Sequence, residues 1–111
     1  MALHVVRVYD AERAVGHRVL VDRLWPRGIR KEVVDTWLKE VAPSTGLRRW
    51  FDHVPERYPE FVRRYREELV GSTALAELRR IVAEHEDVTL LYSARDTEHN
   101  QAVVLADYLR D

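Results

Sequence analysis

The segment Val21-Asp-Arg-Leu-Trp-Pro-Arg-Gly28 sets a carboxylate, two guanidinium groups and an indole at the point where an apolar run turns polar. Core packing alone does not call for that mixture. Proline restricts φ and glycine permits positive φ, so Trp25-Pro26-Arg27-Gly28 is expected to be a rigid turn that aims Arg27. A guanidinium fork binds phosphate or carboxylate oxygens two at a time, which makes Arg23 and Arg27 candidate ligands for a small anion. Asp22 is the candidate proton donor or acceptor beside them. The competing reading holds Asp22 in an ion pair with an arginine and assigns Trp25 and Pro26 to the packing of the turn.

A second cluster, Tyr92-Ser-Ala-Arg-Asp-Thr-Glu-His-Asn100, lies where a strand is expected to end and a helix to begin. Free N–H groups at a helix start attract anions. Ser93, Arg95 and Asn100 would add donors there, and His99 is a second candidate for proton transfer. Against this, Asp96 or Thr97 would cap the helix and Glu98 would satisfy its dipole without any ligand. A Ser93/Asp96/His99 triad can be drawn, but three polar residues within one turn rarely have triad geometry. His4, His17, His53 and His85 are scattered, HExxH is absent and there is no cysteine, so no metal site is expected. Only four glycines occur and none cluster, so neither a phosphate loop nor a dinucleotide fingerprint is present and no cofactor is implied.

The elements that must hold these clusters follow from periodicity. His4–Tyr9 and His17–Leu24 read as strands, the second apolar on both faces until Asp22 and therefore central. Val34, Trp37, Leu38 and Val41 fall at helical spacing and predict a helix that Pro43 stops. Ser44 caps a short helix carrying Leu47, Trp50 and Phe51. Pro55 and Pro59 open a longer one with the stripe Tyr58, Phe61, Val62, Tyr65 and Leu69, closed by Gly71. Ser72 or Thr73 caps a further helix through Leu75, Leu78, Ile81 and Val82. A buried strand at Asp87–Ser93 and a last helix through Ala102, Leu105, Ala106 and Leu109 complete the order. The aromatic and basic residues of the middle, Trp37, Lys39, Arg48, Arg49, Trp50, Phe51, His53 and Tyr58, follow helical spacing, which favours core packing over base stacking.

The expected fold is α/β: a small three-stranded sheet, parallel or mixed, flanked by about five helices in one domain spanning residues 1–111. If the last strand is parallel to the second, the two polar clusters meet at the carboxyl edge of the sheet, where open α/β sheets bind ligands. The first connection is too short for a helical crossover, so strand 1 is open to antiparallel pairing with strand 2.

Composition bounds the partners. With 46% hydrophobic and 33% charged residues the chain is too apolar for disorder, and no apolar run is long enough to span a membrane. The lack of cysteine and of an export signal fits a cytoplasmic protein. A net charge of −1 gives no global case for nucleic-acid binding. Locally, Arg13, Arg18, Arg23, Arg27, Arg30 and Lys31 face only Asp22, an excess that could steer an anion. Exposed helix aromatics such as Trp50 or Tyr58 would allow a homodimer face.

The chain resembles the YeaO-like family of small bacterial proteins, a domain of unknown function (488). The matching residues are Val21–Gly28, Trp37-Leu-Lys, Ala42-Pro-Ser44 with Leu47-Arg48 and Trp50-Phe51, and Tyr65 with Glu68-Leu69. The last block is Thr89-Leu-Leu-Tyr, Asp96, and Glu98-His-Asn100 with Ala102-Val-Val-Leu105. The resemblance covers nearly the whole chain and implies a compact α/β domain, with no established activity to carry over. Larger members of that class carry Cys-His-Arg near the final helix. Here the region reads Glu98-His-Asn-Gln, so thiol chemistry does not transfer.

Two functions remain in view. The first is a small-anion site, enzymatic or not, in which Arg23, Arg27, Ser93, Arg95 and Asn100 hold the ligand and Asp22 or His99 moves a proton. The second is a non-catalytic module that binds nucleic acid or protein through the Arg13–Lys31 surface.

Overall fold

The computed structural model describes residues 2–111. Four strands, β1 (Ala2–Arg7), β2 (His17–Leu20), β3 (Thr36–Trp37) and β4 (Asp87–Tyr92), form one parallel sheet in the order β1-β4-β2-β3. The helices are α1 (Thr45–Phe51), α2 (Tyr58–Leu69), α3 (Thr73–Glu84) and α4 (Gln101–Arg110), and short 3-10 turns lie in the connections before α2.

β4 is the spine of the sheet. Its run from Val88 to Tyr92 is at most 3% exposed, as a parallel strand covered on both faces must be. Val88, Leu90 and Tyr92 point with Val19 and Val21 toward the helices, where Phe61, Tyr65 and Leu69 of α2 meet α3 and α4. Leu91 joins Leu20 and Val8 on the other face, which is roofed by Ala14, Trp25, Ile29, Val33 and Val34 rather than by a helix. Buried Thr89 exchanges hydrogen bonds with the Val15 N–H and C=O at 2.9 and 2.8 Å, tying that roof to the sheet.

Ser44 caps α1 through the Leu47 N–H as the sequence predicts, and of the two candidates for α3 Ser72, not Thr73, is the cap, accepting from the Leu75 N–H. Tyr65 of α2 is fully buried, and its hydroxyl donates to the Val41 carbonyl. Tyr65→Phe would strand that acceptor and should cost about 1–2 kcal/mol in urea unfolding; an unchanged midpoint would show that the bond carries no net stability.

The α/β class stands as expected, but the sheet has four strands rather than three and none is antiparallel. β1 and β2 are not neighbours, because β4 lies between them. The short connection suffices because it passes across the face of β4, with Val8 and Ala14 packed by Leu91. The apolar residues at 34, 37, 38 and 41 do not build an α-helix. The Asp35 and Leu38 N–H groups donate to Arg18 and Leu20 carbonyls at 2.9 and 3.0 Å, so pairing with the edge of β2 takes the donors a helix would need. β2 is also shorter than its pattern. Its last sheet bond is from the Val21 N–H to the Leu91 carbonyl, and Leu24, expected within the strand, is 63% exposed.

Candidate ligand-binding cleft

The parallel register of β2 and β4 pairs Leu20 with Leu91 and so brings Asp22 beside Ser93, just beyond the carboxyl ends of both strands. From there the two chains diverge. One turns toward β3; the other enters α4, which packs on β1 and β4. Between them opens a cleft of about 960 Å³, within the size range of small-molecule sites. All seven sequence candidates, Asp22, Arg23, Arg27, Ser93, Arg95, His99 and Asn100, line it.

Lining the cleft does not give them equal roles. Asn100 is 2% exposed and caps α4: its Oδ1 accepts from the Val103 N–H at 3.1 Å and its Nδ2 donates to the Asp96 carbonyl at 2.9 Å. The predicted cap, Asp96 or Thr97, lies one turn too early. Asp96 instead accepts from the Glu98 and His99 N–H groups, and these bonds, with the His99 ring, hold its carboxyl below the ordinary range. Arg23 donates to the Pro43 and Ala42 carbonyls, both at 3.3 Å, and fastens the turn before α1 to the end of β2.

Trp25 and Pro26 are structural. The Trp25 indole donates to the Ile29 carbonyl at 2.8 Å and meets Trp37 edge-on, while Pro26 is buried. The Ile29 N–H reaches the Pro26 carbonyl at 3.4 Å with Gly28 at φ 76°, the positive φ that a type II turn needs at its third position. The Tyr9 hydroxyl holds the Arg27 carbonyl at 2.9 Å, which leaves the Arg27 guanidinium outside on the rim.

Asp22 is the buried charge of the cleft, 8% exposed. The Ser93 N–H donates to its Oδ2 at 3.0 Å and the Gln101 side-chain amide to its Oδ1. Burial raises its carboxyl above the ordinary range, outweighing these hydrogen bonds and the field of His53. A carboxyl raised in the folded state favours folding below its unfolded value and loses that contribution as pH rises through the folded one. Asp22→Asn should therefore gain on the native protein between about pH 4 and pH 8 in urea unfolding; a pH-independent difference would refute this assignment.

His99 forms a dyad with Asp96, Nδ1 to Oδ2 at 2.8 Å, and stands edge-on to Tyr58. With Nδ1 assigned as the donor to the carboxylate, Nε2 is the ring's acceptor. The phenol of Tyr58 is pushed up to about 12, first by burial, and donates to the Asn100 carbonyl at 3.0 Å. Tyr58 thus braces α4 against α2 from within, and Trp50 lies beneath the guanidinium of Arg64 at 4.5 Å.

Arg7, Arg48, His53 and Gln101 also line the cleft. Arg7 donates to the Ser93 and Ala94 carbonyls and stacks over Tyr9. Arg48 lies off the buried Leu47/Phe51 stripe of α1, which was its one visible signal. His53 follows Asp52, and both have positive φ (55° and 47°), an uncommon conformation for side-chain-bearing residues that swings His53 toward the cleft. Arg18, by contrast, is ion-paired with Asp35 outside the cleft. With Arg18 and Arg23 both engaged, the basic stretch from Arg13 to Lys31 is not a uniform surface of available cations.

Residues 2–111 match the family described as the inactive DUF488-N3 subclade, DUF488-N3i. The chain belongs to this DUF488 family. Its relatives include an uncharacterised protein of Mycobacterium tuberculosis strain H37Rv, 49% identical over 110 residues, covering 96% of this chain and 92% of the relative. An uncharacterised protein of Mycobacterium bovis gives the same figures. The uncharacterised YeaO protein of Escherichia coli strain K12 is 45% identical over 113 residues, covering 99% of this chain and 98% of its own. No solved structure matches the chain. No helix among the described residues of this DUF488 protein is long and apolar enough to cross a membrane.

Proposed function

We propose that this DUF488 protein binds a small phosphate- or carboxylate-bearing ligand in the cleft at the carboxyl edge of its sheet. One observation carries the reading. Arg27, Arg48 and Arg95 come from three separate elements to one cleft, and none of their guanidinium groups has a hydrogen-bond or ion-pair partner among the described residues. Arg18, Arg63 and Arg80 are neutralised by acids, and Arg13, Arg30 and Arg49, which have no such partner, do not line the cleft, so the convergence of the three is what distinguishes them. Unpaired guanidinium groups around a concavity suit a planar or tetrahedral oxyanion.

The cleft also holds Asp22 and the Asp96–His99 dyad, groups able to move a proton. The description of the matching subclade as inactive favours binding without turnover as the role, with these groups orienting the ligand. The test is titration of the ¹⁵N-labelled protein with inorganic phosphate and acetate at low ionic strength. Shifts should concentrate on the amides of residues 27, 28, 48 and 93–96. If neither anion moves them at millimolar concentration, the reading is wrong.

A further inference from the structure

The floor and the rim of the cleft carry opposite charge. Arg27, Arg48 and Arg95 stand exposed at the rim, whereas Asp22, nine-tenths buried, lies on the lining itself. Its hydrogen-bond partners, Ser93 and the Gln101 amide, are neutral; His53 acts on it only through its field, and no cation makes a hydrogen bond or ion pair with it. A buried carboxylate without a counter-ion is costly, and a wholly anionic ligand would add repulsion to that cost. Two carboxylate oxygens offer about four acceptor sites in all, so these neutral donors leave capacity for a further one.

From this juxtaposition, and resting on the anion-binding reading above, we infer that the ligand is dipolar: its anionic group sits among the rim arginines and a cationic nitrogen at its other end meets Asp22. The chemical class is an amine- or amidine-bearing phosphate or carboxylate. Such a ligand supplies a counter-ion in direct contact with Asp22, which the more distant field of His53 does not, and the direction in which burial moves that carboxyl agrees with a missing contact partner. Gln101 and the Ser93 N–H then act as positioning groups that keep both carboxylate oxygens oriented toward the incoming nitrogen.

The experiment is a calorimetric titration of the native protein with matched pairs: aminoalkyl phosphates of two to six carbons against alkyl phosphates of equal length, and ω-amino carboxylates against simple carboxylates. At the best-fitting length the amine should bind about ten- to a hundredfold more tightly than its partner, the worth of one charge-assisted hydrogen bond in a desolvated site. The better of the two series identifies the anionic end. In Asp22→Asn the preference should collapse, the amine weakening and the alkyl phosphate strengthening as the like charge leaves the floor. If that variant does not fold, the native comparison decides by itself. Alkyl phosphate binding with no advantage for the amine at any length overturns the dipolar ligand and leaves the anion site standing. No binding of either partner overturns both.

Discussion

Gly16→Ala is expected to cost the fold about 3 kcal/mol or more, the largest stability loss among the substitutions considered. Gly16 opens β2 with φ 73°, a conformation that L-residues avoid. A Cβ there would lie 2.1 Å from the Asp87 carbonyl oxygen, where β2 and β4 begin side by side. The obstacle is backbone, so relief requires the two central strands to part. Gly28 is the control: its φ is 76°, yet a Cβ would find nothing within 4 Å. Gly28→Ala should cost about 1 kcal/mol, the conformational term alone. Urea unfolding of the two variants separates close approach from backbone preference. Equal losses would mean that the contact at Gly16 relaxes freely.

Replacing Arg27, Arg48 and Arg95 by glutamine should produce the largest functional loss. Each contact is a charge-assisted hydrogen bond on an exposed guanidinium, so each single variant should weaken anion binding about tenfold, the lower end of the range for such bonds. The three act on one ligand, so their effects should not multiply independently, and the triple variant should bind below detection. Arg49→Gln, on α1 but outside the cleft lining, should bind as the native chain does. Surface substitutions of this kind leave stability within about 0.5 kcal/mol, so lost binding would report on the site. Affinity should also fall with added salt, since the rim is exposed. Single variants that all bind as tightly as the native protein would place the ligand elsewhere.

The cleft itself was legible in the sequence because both polar clusters follow apolar runs, and polarity arriving at a strand's end marks where the chain leaves the sheet. Asp22–Gly28 and Ser93–Asn100 share one edge on the single condition that β2 and β4 run parallel, which they do. The roles within the cleft were less legible. Asn100 and Arg23 have the chemistry of ligand donors, but one caps α4 and the other holds the Ala42–Pro43 backbone. Side-chain type cannot reveal whether a donor already has a partner. Arg48 was grouped with neighbouring aromatics because its position beside the α1 stripe gives no hint of what faces that helix.

β3 was hidden for a related reason. Two residues are too few for alternation to register, and Val34, Trp37, Leu38 and Val41 match helical spacing. Only the open edge of β2, with its Arg18 and Leu20 carbonyls, decides that the segment pairs. The place of β4 is also a tertiary outcome. Its hydrophobic run implies burial on both faces, but not that it inserts between β1 and β2.

Legible without the fold, then, are the α/β layers, the cap at Ser44, the cap of α3 to within one residue, the rigid turn that carries Arg27, and the polar ends of the two strands. Those follow from local propensities and periodicity, which each segment carries within itself. Strand order, the pairing of β3 and the division of arginines into braced and unpaired were settled by tertiary structure. They depend on which partner wins when distant segments compete for the same donors and acceptors.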